Sequence, residues 1–293
     1  MRGRAIPLSR PRRFIADLMH FASGFPTVPV QRRMNLAPVM AARRACVARP
    51  SWTAVFVKAY SLVADEVPEL RRAYVKLPRP HLYEYPTNVA SVAVEREFEG
   101  EKAVLGMPIK NPSALSLAAL SQLLRAAATS PVDEVKSFRR ALRIAGYPLP
   151  VRRLLWWLAL NVGRQRANFF GTFAVSVYSA LGAESLHPIS PCTTLLNYGV
   201  FQPNGACDVR IIYDHRVLDG ANVARALRRL EEVLRGPIVT ELRASPLARE
   251  HPVDEPIEED ELDGRGRADE GHEDHPPPYH VREFDERRKA RQN

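Results

Sequence analysis

Asp214–Gly220 reads DHRVLDG and lies between two different hydrophobic patterns. The run 209–213 before it is apolar and strand-like, whereas the run 221–234 after it has apolar residues at helical spacing. The patterns predict that His215 lies on a strand-to-helix turn, where the scaffold holds a loop residue rigidly. Asp219 and Gly220 suit the start of the helix, because Asp caps free backbone N–H groups and Gly tolerates a turn with positive φ.

The rest of the chain alternates between helical and strand-like patterns. Helices are predicted at 14–21, 38–47, 51–67, 115–128, 135–144, 151–166 and 221–234, and strands at 27–36, 73–75, 89–95, 103–109, 170–176, 194–200 and 209–213. Ser51 is the predicted cap of the strongest helix, which ends at a Pro-Glu-Leu stop.

Several short motifs follow one another in a recognisable order. They are the PEL stop (68–70), AVLGMPI (103–109), FGTFAVS (170–176), HPISP (187–191), TLLNYGV (194–200) and DHRVLDG (214–220). Together they resemble the catalytic domain of the acyltransferase component of 2-oxo acid dehydrogenase complexes, the dihydrolipoamide acyltransferases, which share their fold with chloramphenicol acetyltransferase. The resemblance covers about residues 12–236 and is most specific from 170 to 220. Asp214 precedes the histidine here, as in the 2-oxo acid dehydrogenase branch. Chloramphenicol acetyltransferases usually carry a second histidine at that position.

The resemblance implies an α+β fold of the chloramphenicol acetyltransferase type, a mixed β-sheet covered by helices. It divides the chain into an irregular lead-in (1–11), a catalytic domain (12–237) and a charged tail (238–293). The tail is rich in Asp, Glu, Pro, Gly and Arg and is predicted to be disordered, because it has too few apolar residues to offset the entropy of ordering. No lipoyl-domain hairpin is evident, so any lipoyl group is expected to be supplied in trans.

The implied reaction is transfer of an acyl group between coenzyme A and a second thiol. Thiols are mostly protonated at neutral pH and react as thiolates, so a general base accelerates the attack. His215 matches the family's catalytic histidine and is the predicted base, since the free pKa of histidine lies near the operating pH.

Attack on a thioester creates a tetrahedral oxyanion that a hydroxyl group stabilises. Ser176 aligns with the family's hydroxyl residue and is the candidate donor. The following residues, 177–179 (VYS), depart from the family's pattern, which makes Ser179 a rival. The segment from Ser176 to His215 is also shorter than the family's.

Asp219 is predicted to brace the catalytic loop rather than to do chemistry. In the family the corresponding Asp pairs with an Arg near the start of the domain, and Arg12 or Arg13 would match that Arg. Gly220 is expected to tolerate no side chain if its turn needs positive φ. The catalytic and supporting set is therefore His215, Asp219 and Ser176 with Arg12 and Gly220.

The resemblance also implies a homotrimer whose sites form between subunits, with the histidine and the hydroxyl supplied by adjacent chains. The expected partners are an acyl-coenzyme A and a lipoyl-bearing protein, with no metal. A net charge of +9 is spread along the chain and predicts a basic soluble surface or attraction for an anionic thioester. No zinc-ligand spacing or RNA-binding motif is present, so nucleic acid is not predicted.

Composition places the chain in the cytoplasm. Its three cysteines (Cys46, Cys192 and Cys207) have no metal-like spacing and suggest reduced thiols. The basic N-terminus lacks the apolar segment of a signal peptide, and the longest apolar run, 154–160, is too short to cross a bilayer. Scattered histidines between 251 and 280 are predicted to be solvated.

Two other functions stay open at this stage. The first is a non-catalytic trimeric scaffold that recruits partners, which the altered residues after Ser176 favour and the intact His-x-x-x-Asp-Gly motif opposes. The second is an acyltransferase at a membrane surface, attached through the Arg- and Trp-containing helix 151–166. Membrane contact is the less favoured of the two readings of this helix, the other being packing on the domain or on another subunit.

Overall fold

A computed structural model describes residues 3–244. The strands are β1 (Thr27–Asn35), β2 (Arg72–Val75), β3 (His81–Glu84), β4 (Val89–Phe98), β5 (Glu101–Lys110), β6 (Phe173–Val175), β7 (Thr194–Tyr198) and β8 (Ala206–Asp214). The helices are α1 (Arg10–Ala22), α2 (Ala37–Arg44), α3 (Trp52–Glu66), α4 (Leu117–Thr129), α5 (Lys136–Ala145), α6 (Leu149–Asn161), α7 (Gly163–Phe170), α8 (Gly220–Val233) and α9 (Val239–Ala244).

The main sheet has six strands in the order β1-β8-β7-β6-β4-β5, and β2 pairs with β3 in a separate ribbon. Strand β6 runs parallel to both of its neighbours, β4 and β7, whereas the remaining pairs in the sheet are antiparallel. The sheet is therefore mixed and helices cover it, which confirms the predicted α+β fold class.

Helix α3 packs at the centre of the core, on one face of the sheet. Ser51 caps it as predicted, its Oγ accepting from the backbone N–H of Ala54 at 3.2 Å. The Phe56 ring stacks on the Tyr198 ring of β7 with centroids 4.1 Å apart. The Tyr60 hydroxyl donates to Thr194 Oγ1 at 2.7 Å, so this buried phenol keeps a hydrogen-bond partner. Helix α3 thereby fixes the position of β7, the strand beside β8.

Helices α1 and α6 pack together through an aromatic cluster. Trp156 of α6 is buried, with its ring centroid 5.6 Å from Phe14, 5.8 Å from Phe21 and 5.0 Å from Phe170. Phe170 in turn packs against residues of β6, β7 and β8, including Leu195 and Ile212. The cluster therefore ties α1 and α6 to the face of the sheet away from α3.

A buried carboxylate joins the same two helices. Asp17 of α1 is fully buried, and its two oxygens lie 2.7 Å from Nε of Arg152 and 2.8 Å from Nε of Arg153. The Arg153 contact is a hydrogen bond, whereas the Arg152 contact lacks hydrogen-bond geometry and is an ion pair only. The hypothesis of a membrane-surface helix placed both arginines at the bilayer, but both pair with the buried Asp17. Packing on the domain is thus observed for this face of α6.

The predicted single helix 151–166 is two helices. It breaks at Val162, and α7 begins at Gly163. A Cβ at Gly163 would come within 2.6 Å of the Tyr83 ring, so the chain passes the ribbon too closely for a side chain. The hydrophobic pattern is continuous across this break, which is why periodicity alone predicted one helix.

The folded domain extends beyond the predicted boundary at 237. Helix α8 continues through a π-helical turn (Leu234–Ile238) into α9, where Val239 and Leu242 are buried. Residues 238–244 are therefore not part of a disordered tail, and the rest of the predicted tail lies outside the described residues. Within residues 3–244, no helix combines the length and apolar character needed to cross a bilayer. The three cysteines are buried free thiols.

Candidate functional site

The DHRVLDG turn connects the end of β8 to the start of α8, as predicted. Its first two residues are tied by backbone hydrogen bonds: the Asp214 N–H donates to Thr193 O at 2.8 Å, and the His215 N–H donates to Pro26 O at 3.0 Å. Leu218 points into the core and is only 3% exposed. A buried strand and a buried leucine therefore hold His215 at the edge of the sheet.

Asp214 and Arg216, on either side of the histidine, form a closed ion pair. The Asp214 side chain is fully buried and accepts from the Arg216 guanidinium at 2.9 and 2.7 Å and from the Arg216 backbone N–H at 3.0 Å. A buried carboxylate with two parallel guanidinium bonds has both its charge and its geometry satisfied. This bidentate pair restrains the backbone on both sides of His215.

Two aromatic rings from other parts of the chain pack against the Arg216 guanidinium. Its central carbon lies 4.8 Å from the Phe25 ring centroid and 4.6 Å from the Tyr74 ring centroid. Arg166, also buried, donates to the Tyr74 carbonyl at 2.6 Å, and its burial lowers its pKa. The cation–π contacts and the carbonyl bond place Phe25, Tyr74 and Arg166, from three separate parts of the chain, around the turn.

His215 itself is half exposed, with 50% of its side chain accessible. Its Nδ1 lies 3.7 Å from Oδ1 of Asp219, which is an ion-pair distance if the ring is protonated but too long for a hydrogen bond. The ring therefore presents Nε2 on the side away from Asp219. An accessible imidazole on a rigid turn has the properties that a general base requires.

Asp219 and Gly220 differ from their predicted roles. Asp219 occupies the position before α8, but its side chain makes no capping hydrogen bond and is 81% exposed. Gly220 belongs to the first turn of α8 and is not among the positive-φ residues. A Cβ there would lie 3.4 Å from the Tyr213 hydroxyl, an ordinary contact. Gly220 therefore has no conformational need for glycine.

Arg12 and Arg13 do not reach Asp219 within this chain. The Arg12 guanidinium lies 3.1 Å from Glu101 on β5, and Arg13 Nε donates to the Leu8 carbonyl at 2.9 Å. Arg12 lies at the start of α1, whereas the end of the helix leads towards the turn. The predicted brace between Arg12 and Asp219 is thus wrong for the single chain, because α1 directs Arg12 to the opposite edge strand.

Ser176 follows the last residue of β6. Its backbone N–H donates to Leu196 O at 3.2 Å, and its carbonyl accepts from Asn197 Nδ2 at 2.6 Å. Asn197 is fully buried, so Ser176 is held by a rigid neighbour on β7. Ser179, the rival hydroxyl, lies in a 3-10 turn (Ser179–Leu181) farther along the chain.

Ser176 and His215 lie at opposite ends of the sheet. Val175 pairs with Leu196, and Leu196 pairs with Ile211 on β8. His215 lies four residues beyond Ile211, and β6 runs the other way, so at ~3.4 Å per residue the two side chains are about 14 Å or more apart along the strands. One thioester cannot contact both groups of the same chain.

Three residues that matter at this site were not predicted from the sequence as functional. Asp214 and Arg216 flank the histidine at a spacing of two, and a charged pair around a candidate base is a signal that could have revealed the ion pair. Asn197 stands in a run of apolar strand residues, where a single polar side chain needs a partner. No cluster of three or more metal-ligating side chains occurs among residues 3–244.

Comparison with solved structures identifies the fold. Dihydrolipoamide acetyltransferase from Azotobacter vinelandii, studied for the role of a serine, a histidine and an asparagine in its catalytic mechanism, superposes with a TM-score of 0.59 at 18% identity, covering 80% of this chain and 93% of that one. The cubic core of the pyruvate dehydrogenase multienzyme complex gives a TM-score of 0.55 at 18% identity, covering 80% and 93%.

A truncated catalytic core of the 2-oxoacid dehydrogenase multienzyme complex from Thermoplasma acidophilum gives a TM-score of 0.55 at 17% identity, with 80% of this chain and 99% of that one covered. No protein-family model and no curated protein sequence matches the chain. At these identities the likeness establishes the fold, that of the catalytic cores of dihydrolipoamide acetyltransferases.

Proposed function

We propose that the protein is a coenzyme A-dependent acyltransferase with His215 as its general base. The acyl group moves between coenzyme A and a second thiol, and a lipoyl group supplied by another protein is the leading acceptor. The observation that carries this proposal is the half-exposed His215 on a turn locked by the buried Asp214–Arg216 pair. A fold shared with dihydrolipoamide acetyltransferases supports the same reaction class.

The reaction needs three functions from the protein. His215 Nε2 accepts the proton of the attacking thiol, and the thiolate sulfur forms a bond to the thioester carbonyl carbon. A hydroxyl group donates to the resulting oxyanion. The intermediate collapses as its bond to the departing sulfur breaks, and the histidine returns its proton to that thiolate.

The separation of Ser176 from His215 supports sites that form between copies of the chain. If Ser176 is the hydroxyl group, it must come from a second subunit, because the two residues of one chain lie at opposite ends of the sheet. We therefore propose that the protein is a homotrimer with sites between adjacent subunits. The histidine and asparagine studied in the Azotobacter enzyme stand four residues apart, as His215 and Asp219 do.

The direct test is thiol–thioester exchange. Purified protein is mixed with a panel of acyl-coenzyme A donors and free dihydrolipoamide, and His215→Ala is expected to reduce kcat by about 10²- to 10⁴-fold. His81→Ala, a substitution on the separate β3 ribbon, is the matched control and should leave kcat unchanged.

The exchange rates are interpreted together with the oligomeric state of each variant, which sedimentation measures. Sedimentation of both variants as the same species as the wild-type protein excludes misfolding as the cause of a lost rate. An active monomer would contradict the shared site. A folded trimer that turns over no donor would favour the scaffold function instead.

The oxyanion donor is tested by Ser176→Ala and Ser179→Ala. Loss of one donor from an oxyanion site lowers kcat by about 10²-fold with little change in KM. We expect this loss for Ser176→Ala, whose backbone is held by Asn197, and a much smaller one for Ser179→Ala. The reverse order would assign the role to Ser179.

A further inference from the structure

An open groove at the edge of the sheet carries positive charge only. It has a volume of about 520 Å³ and lies between the end of β5, the first turns of α5 and one side of α7. Lys110, Lys136 and Arg140 line it together with the polar side chains of Ser137, Gln165 and Asn168. We call these six residues the basic groove. Its volume lies within the range of small-molecule sites.

The cations of the basic groove have no carboxylate partner among residues 3–244. None of the salt bridges in this part of the chain includes Lys110, Lys136 or Arg140. Burial lowers the pKa of Arg140, and no acidic group counteracts that effect. Three like charges that converge on one concave surface attract a counter-ion.

A second groove of similar size shows the contrast. It has a volume of about 540 Å³ and is lined by three arginines, but Glu231 and Glu232 line it too. Arg32 pairs with Glu231 at 2.8 Å and Arg228 with Glu232 at 4.0 Å, so two of the three guanidinium groups of this groove have a carboxylate partner in its own lining. Both grooves are concave and contain arginine, but the lining of the basic groove contains no carboxylate.

The basic groove is also partly preorganised. The Arg140 guanidinium lies 4.4 Å from the centroid of the Phe169 ring and donates one hydrogen bond to the Asn168 carbonyl at 3.0 Å. A guanidinium that is stacked on a ring loses less entropy when it binds an anion.

We propose that the basic groove binds a phosphate-bearing small molecule. Tetrahedral oxyanions match what the groove offers: a guanidinium fork, two ammonium groups, a hydroxyl and two amides. The groove lies at β5 and His215 follows β8, four strand spacings away, or about 19 Å. The basic groove therefore lies apart from the candidate catalytic turn, and its binding of phosphate is measured without acyl transfer.

Calorimetry on the full chain with inorganic pyrophosphate tests the proposal. Lys136→Gln and Arg140→Gln are each expected to weaken binding by about threefold to tenfold, and salt should weaken binding to the wild-type protein. Arg139→Gln, on the same helix but outside the groove, and Lys102→Gln, which is paired with Glu95 on β5, should bind within about twofold of the wild-type affinity. Lys110→Gln replaces Arg140→Gln if the latter lowers the melting temperature.

Two outcomes overturn the proposal: no measurable binding of pyrophosphate by the wild-type protein, or binding that the groove variants leave unchanged. Competition by coenzyme A but not by pantetheine, with weaker coenzyme A binding in Arg140→Gln, would identify the phosphates as those of the proposed acyl donor. Binding of pyrophosphate without such competition would identify a separate phosphate-bearing ligand. Both results are independent of the exchange assay, so a failure there leaves this proposal standing.

Discussion

A second arginine–carboxylate pair lies at the Ser176 end of the sheet. Arg210 on β8 is buried, donates to Glu184 Oε2 at 2.7 Å and also contacts Gln31. Glu184 accepts in addition from the Val200 N–H at 3.0 Å. These bonds lie at the Ser176 end of the sheet, and they hold the loop that follows Ser176 against β8.

The Glu184–Arg210 pair predicts a pH dependence of stability. The hydrogen bond from Arg210 lowers the pKa of Glu184 below its ordinary value of 4.5. The unfolded chain therefore takes up this proton at a higher pH than the folded chain does, and the stabilisation is complete above about pH 4.5 and lost as the pH falls through the folded pKa. Glu184→Gln should lower the free energy of unfolding by on the order of 1 kcal/mol at pH 7, with the difference shrinking towards pH 3.

Urea unfolding at a series of pH values measures this difference. Glu95→Gln is the control, because Glu95 pairs with Lys102 on an exposed stretch of β4 and β5. It should change the free energy of unfolding by less than about 0.5 kcal/mol at every pH. A constant difference between wild type and Glu184→Gln across the whole range would contradict a linked titration.

At the residue scale, the sequence predicted those features that depend on a local pattern of residues. The switch from strand to helix pattern placed His215 on its turn, and the serine before a long apolar helix marked Ser51 as a cap. The cap at Asp219 and the turn at Gly220 were expected from residue type, and the Arg12 brace from a resemblance; all three depend on side-chain orientation or on the end of α1 that faces the turn. Such geometry is not encoded in spacing along the chain.

At the scale of elements, most helices and strands were predicted, because amphipathic periodicity follows directly from the burial of one face. Exceptions have tertiary causes. The helix breaks at Val162, and the next residue is glycine because a Cβ there would come within 2.6 Å of the Tyr83 ring. Residues 238–244 were assigned to the tail by composition, although Val239 and Leu242 of α9 are buried and Glu241 pairs with Lys58 at 2.7 Å. Sheet order was not readable from the pattern, since strand pairing is set by long-range contacts.

The adjacent tryptophans of α6 permit a test of how this helix is attached. Trp156 is 5% exposed and contacts three aromatic rings, whereas Trp157 is 41% exposed. Trp156→Ala should lower the free energy of unfolding by about 3–5 kcal/mol, and Trp157→Ala by less than about 1 kcal/mol. Chemical denaturation monitored by circular dichroism measures both.

The same two variants, Trp156→Ala and Trp157→Ala, also show which face of α6 is covered. Large and equal losses for both variants would mean that the outer face of α6 is also covered, for example by another subunit. Equal small losses would mean that the aromatic cluster does not anchor α6. The expected asymmetry supports a helix attached through Trp156 and the Asp17 ion pairs.

At the scale of the whole molecule, the sheet separates the two candidate catalytic groups. β8 delivers His215 to one end of the sheet, and β6 delivers Ser176 to the other. Because both strands are central and buried, no local rearrangement can bring the residues of one chain together. Catalysis by this pair therefore requires that the His215 end of one subunit meets the Ser176 end of another.

Complementation between inactive variants tests this arrangement directly. Coexpressed His215→Ala and Ser176→Ala chains should form mixed trimers in which some interfaces combine an intact Ser176 from one chain with an intact His215 from its neighbour. If chains mix at random in equal amounts, about a quarter of the sites have both groups, so the mixture should recover about a quarter of the wild-type exchange rate.

The double variant supplies the control for this experiment. When the double variant is mixed with either single variant, mixed trimers form in which every site lacks the same group, the histidine or the serine. These trimers should recover no exchange activity. Tandem affinity tags on the two chains ensure that mixed assemblies are the species assayed. Mixed trimers as inactive as their parents would mean that the two groups do not share a site, because every other requirement of the reaction is present in them. His215 would then act with a hydroxyl or backbone donor of its own chain, and the separation along β8 would mark Ser176 as a structural residue.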